Sequence, residues 1–153
     1  MTEAAEQLGE KPVVDIIAPH LIEEAWPVIG PHIAEALKWS DDELHINDIK
    51  AGLMDESDNM LCFVITIGGQ LYGVCTVDLL VYPSGKRALN VMTMTGVGTR
   101  EYSEELTEAM EKLARASNCT EIVTSIRPDK AERLAEIGGF VALHVVMKRR
   151  VEV

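Results

Sequence analysis

With 153 residues, 47% of them apolar and 25% charged, the chain has the composition of one soluble globular domain, long enough to bury about two-thirds of its unfolded surface without a staple. A formal net charge of −11 works against binding nucleic acid or anionic membrane surfaces, which depends on clustered Lys and Arg, and favours a basic partner. The three cysteines, Cys62, Cys75 and Cys119, are odd in number, far apart and without a CxxC pair, which argues against a disulfide framework or a zinc site and for a reducing cytoplasm.

The opening MTEAAEQLGEKP is acidic and polar and lacks the basic-then-apolar order of a secretory signal. No run reaches the roughly 18 apolar residues of a membrane span. Residues 1–12 are expected to form a tail that a partner protein would have to hold in place, followed by one domain over 13–153.

Val13 to Ala18 is short, apolar and β-branched, and ends at Pro19, which predicts a first strand. Leu21, Ile22, Ala25, Trp26, Ile29, Ile33 and Leu37 follow near 3.6-residue spacing. Pro27, Gly30 and Pro31 interrupt them and predict two short helices or one kinked one. Asn47 is the expected cap of another helix through about Asp55, with Ile49, Leu53 and Met54 inward. Three apolar segments, Met60 to Ile67, Leu71 to Tyr82 and Arg87 to Thr95, are separated by GGQ and PSGK turns, as in an antiparallel meander.

A helix is predicted from about Ser103 to Ser117 on the stripe Leu106, Met110, Leu113 and Ala114. Glu121 to Ile126 reads as a strand, and Pro128 opens a helix that Gly138 and Gly139 close. Phe140 to Val151 is the expected final strand, whose open edge would also offer a route to a homo-oligomer. The fold class is therefore mixed α/β (α+β): a mainly antiparallel sheet of about six strands flanked by helices.

The element order, and the segment RPDKAERLAEIGGF, resemble the GNAT superfamily of N-acetyltransferases. That family commonly carries Asn-x-x-Ala-x-x-Leu-Tyr after the fifth strand, then Gly-Phe and the last strand. Ala131, Leu134, Gly139 and Phe140 stand at the matching positions, with Pro128 in place of the Asn and Ala135 in place of the Tyr. The YPSGK hairpin and the Gly-x-Gly end of the fourth strand are similar to small GNAT-like proteins of bacteriophages.

The resemblance implies an acetyl-CoA site where the fourth strand ends, here MTMTGVGTREYSEEL. Met94, Thr95, Gly96, Val97, Gly98, Thr99 and Arg100 would hold the pantetheine and pyrophosphate, since glycines admit a phosphate to the backbone and a helix N-terminus favours it. Glu101, Glu104 and Glu105 follow at once; they either oppose an anionic ligand or complement the positive end of the helix.

Acetyl transfer needs a base for the amine and an acid for the departing thiolate. Asp78 interrupts the apolar run VCTVDLLVY on the same face as Val74, Thr76 and Leu80, and is the candidate base, with Asn90 or Thr93 beside it. Ala135 leaves the family's acid position without a hydroxyl, so Tyr102 is the nearest substitute. His20, His32, His45 and His144 show no metal-ligand spacing, and no metal is expected. Two functions stay open: an N-acetyltransferase acting on a small amine or a basic protein, with acetyl-CoA as co-substrate; or an inactive GNAT-like scaffold, phage-encoded and virion-associated, that binds or builds.

Overall fold

The structure is a computed structural model and describes residues 11–38, 44–57, 59–96, 99–126, 132, 135–136, 139–142 and 147–151, the side chains of 96–103 excepted. Among the described residues its centre is a sheet of five strands in chain order: β1 (Val13–Ile17), β2 (Met60–Ile67), β3 (Gln70–Val81), β4 (Arg87–Gly96) and β5 (Glu121–Thr124). All neighbours are antiparallel except β4 and β5, which run parallel. The fold is thus the expected mixed α+β architecture.

Between β1 and β2 lie a 3-10 turn (Pro19–Leu21), α1 (Ile22–Leu37) and α2 (Ile46–Met54); α3 (Thr99–Ala116) links β4 to β5. The interrupted periodicity of residues 20–37 resolves as one continuous helix with Pro27 and Pro31 inside it. An internal proline costs about 3 kcal/mol. Ile22, Ile29 and Ile33 are each at most 2% exposed, and about 1.5–3 kcal/mol per buried isoleucine offsets that cost. Gly30 serves the same helix: a Cβ there would stand 3.1 Å from the Trp26 ring.

The pleat sorts side chains onto two faces. One face, with Phe63, Ile65, Cys75, Val77, Leu89 and Val91, packs on Leu106, Met110 and Ala114 of α3. The other, with Cys62 and Val74, packs on the isoleucines of α1 and on Ile49 and Leu53 of α2. Met54, expected inside, is 41% exposed.

Three boundaries differ from the sequence reading. The cap of α2 is His45, whose Nδ1 accepts from the Asn47 amide at 3.1 Å, so Asn47 lies inside the helix it was expected to start. α3 begins at Thr99 instead of Ser103, which brings Thr99, Arg100 and Tyr102 into its first turn. The described residues of 140–151 are in no strand, and Val141, Met147 and Val151 are 77%, 89% and 82% exposed. An apolar run predicted a strand there; residues 143–146 lie outside the described residues, and at the exposed Val141, Met147 and Val151 strand geometry would cover no apolar surface. Helical Glu132, Ala135 and Glu136 agree with the expected helix, and Gly139 closes it at φ +67 with its amide donating to the Ala135 carbonyl at 3.2 Å. Pro128, Ala131, Leu134, His144 and the tail residues 1–10 lie outside the described residues.

Candidate active site

The fourth strand changes character midway. From Ala88 to Val91 it is paired on both sides, with β3 and with Glu121–Thr124 of β5. The hydroxyl of Thr124 donates to the Val91 carbonyl at 3.1 Å, where that pairing ends. From Met92 to Gly96 the strand pairs with β3 alone among the described residues. The β5 ladder therefore stops at Val91, and no described strand continues it along Met92–Gly96.

A β-bulge marks the same point. Val77 faces Val91 while Thr76 faces Thr93, so Met92 is the extra residue. Its consequence is a change of phase. Leu89, Val91 and Met94 stay on the α3 face, and Asn90, Thr93 and Thr95 are brought together onto the α1 face. Without the bulge, strict alternation would send Thr93 and Thr95 into the α3 core.

The result is a ladder of cross-strand pairs. Asp78 and Asn90 are register partners, and the Asn90 amide donates to the Asp78 carboxylate at 2.9 Å. Thr76 and Thr93 follow, both buried, with hydroxyl oxygens 2.5 Å apart. Val74 and Thr95 come next, and from α1 the His32 Nδ1 approaches the Thr95 hydroxyl at 3.4 Å. Asp78, Asn90 and His32 are half-buried.

Of the sequence-predicted residues, Asp78 is therefore beside Asn90 as expected, and Met94, Thr95 and Gly96 lie in the open half of β4. Val97 and Gly98 fall outside the described residues, as do the side chains of Thr99, Arg100 and Tyr102. Among the acids, Glu104 is exposed, whereas Glu105 Oε2 is buried without a hydrogen-bond partner among the described residues. His32 was missed. Its signal was its place three residues after Ile29, on the buried stripe of α1.

The cysteines are not part of this arrangement. Burial pushes the Cys62 thiol up to about 12, and burial with the nearby Cys62 charge pushes Cys75 up to about 12. Both stay neutral and unreactive at ordinary pH. Among the described residues no group of three His, Cys, Asp or Glu side chains is placed to hold a metal ion, and no helix is long and apolar enough to cross a membrane.

By sequence, neither a protein-family model nor a curated protein matches the chain. By structure, the aminoglycoside N-acetyltransferase AAC(6')-Iy, in complex with CoA, is similar at TM-score 0.69 and 14% identity, over 95% of this chain and 97% of that one. The fold is the GNAT fold. An aminoglycoside acetyltransferase from an uncultured soil metagenomic sample, in complex with sisomicin, is similar at TM-score 0.65 and 13% identity, over 93% of this chain and 96% of that one. A ribosomal-protein-alanine N-acetyltransferase from Brucella melitensis biovar Abortus is similar at 0.62 and 16%, over 94% of this chain and 99% of that one. Likeness at these identities fixes the GNAT architecture and leaves the site to be argued from the chain's own residues.

Proposed function

We propose that the protein is an acyl-CoA-dependent N-acyltransferase that moves an acetyl group to an amine. The observation that carries this reading is the open half of β4: a bulge at Met92, an edge without β5, and a polar ladder on one face. One solved protein of similar fold is in complex with CoA, and another is in complex with sisomicin.

On this reading the thioester lies along β4 near the bulge, where a backbone amide polarises its carbonyl. The pantetheine and pyrophosphate run past Met94, Thr95 and Gly96 to Val97, Gly98, Thr99 and Arg100 at the start of α3. Asp78 attracts the cationic acceptor and takes the proton that its nitrogen loses, with Asn90 fixing one carboxylate oxygen so that the other faces the amine. A net charge of −11 adds a long-range attraction for a cationic acceptor, a small amine or a basic protein, in a cytoplasmic setting.

The test is release of CoA thiol from acetyl-CoA in the presence of sisomicin or of a peptide with an N-terminal alanine. Turnover is expected with at least one acceptor, reduced about a hundredfold in Asp78→Asn, the usual size of a lost general base. Ala135, helical and exposed where the family's acid would stand, favours a second reading, a scaffold without chemistry that serves as a phage-encoded binding or virion protein. Absence of thiol release with either acceptor would decide for it.

A further inference from the structure

The transfer needs a proton donor for the departing thiolate, and neither sequence candidate supplies one in the described structure. Ala135 has no proton to give, and the Tyr102 side chain lies outside the described residues. On the proposed acyltransferase reading, we propose that His32 of α1 is the general acid that protonates the CoA sulfur.

Three observations place it. His32 is an ionisable side chain held against Thr95, in the half of β4 beyond the end of its β5 pairing. Thr95 lies on the cofactor side of the bulge and Asp78 on the other, each one ladder step from the Thr76–Thr93 pair. A ladder step is about 7 Å along a strand, a span that a side chain and one water or the substrate itself can close. Asp78 and Thr95 thus mark opposite ends of one polar row whose middle, the Thr76–Thr93 pair, is buried, so base and acid would meet the reacting groups beside that pair and not over it. His32 is also half-buried, so the residue is not sealed from the solvent that would return its proton after each turnover.

The ring nitrogens divide the work. In the imidazolium both carry hydrogen. Nδ1–H donates to the Thr95 hydroxyl and fixes the ring, which leaves Nε2–H for the sulfur. As the amine attacks, the C–N bond forms and the C–S bond breaks. The amine proton passes to the Asp78 carboxylate, the thiolate takes the Nε2 proton, and water restores both groups.

The experiment compares wild type, His32→Gln and His32→Ala in thiol release from acetyl-CoA, with calorimetric titration of acetyl-CoA into each. Expected are a kcat lower by about a hundredfold in both variants, acetyl-CoA affinity within about twofold of wild type, and partial recovery of His32→Ala by added imidazole. An undiminished kcat in His32→Gln would overturn the assignment alone. A loss of acetyl-CoA affinity as large as the loss of rate, with no recovery by imidazole, would make His32 a packing residue and overturn it equally. Failure of wild-type protein to bind acetyl-CoA would instead overturn the acyltransferase reading beneath it.

Discussion

The two halves of β4 are built from the same strand and differ in what surrounds them. Ala88 to Val91 has a partner on each edge, and Leu89 beneath it is 1% exposed. Met92 to Gly96 has one partner among the described residues and carries Thr93 and Thr95 on the face it shares with His32. Closed pairing with an apolar face stabilises the fold, whereas an open edge beside hydroxyls offers sites for chemistry. A single inserted residue, Met92, separates the two behaviours.

Substitutions can separate them as well. The largest effect is expected from Phe63→Ala, because Phe63 is 1% exposed in the core under α3. Truncating it leaves a cavity, and urea unfolding should show a loss of about 3–5 kcal/mol. A loss below about 1 kcal/mol would mean that the closed side is not the anchor described.

Next is the hydroxyl pair at the bulge. Thr76→Val strands the Thr93 hydroxyl in a buried site, at an expected cost of about 1–3 kcal/mol. The double variant Thr76→Val, Thr93→Val removes both partners and should recover much of that loss, since an apolar pair of the same shape leaves no unsatisfied group. Equal destabilisation in single and double variants would show that the pair does not act as a unit.

A slower dependence should come from the cysteines. Their folded values lie near 12 against 9.0 without burial, so the unfolded chain loses those protons first as pH rises. The contribution is fully present below about pH 9 and declines toward pH 12, because unfolding releases protons in that window. Cys62→Ala, Cys75→Ala should flatten the fall in stability measured across it. An unchanged slope would place both thiols in water.

Much of this organisation was legible in the sequence. The meander from Met60 to Thr95 was readable because β-branched runs and Gly-rich turns are local signals, and Asp78 stood out because a carboxylate interrupts VCTVDLLVY. Helix limits were less accessible. His45 caps α2 through a ring nitrogen that no capping preference anticipates, and α3 starts ahead of Ser103 in a Thr-Arg-Glu turn without a strong cap signal. The bulge could not be read at all, since it depends on which residue of β3 faces which of β4, a tertiary fact. With it went the gathering of Asn90, Thr93 and Thr95 on one face, and the contact of His32 with that face, which depends on the packing of α1.

The central claim is that the open half of β4 receives acetyl-CoA, and calorimetric titration tests it most directly. The account predicts a dissociation constant on the order of micromolar for wild type, or about −8 kcal/mol, abolished in Gly98→Glu by a carboxylate set where the phosphates would lie. No binding by wild type up to millimolar acetyl-CoA, or equal binding by both proteins, would contradict it.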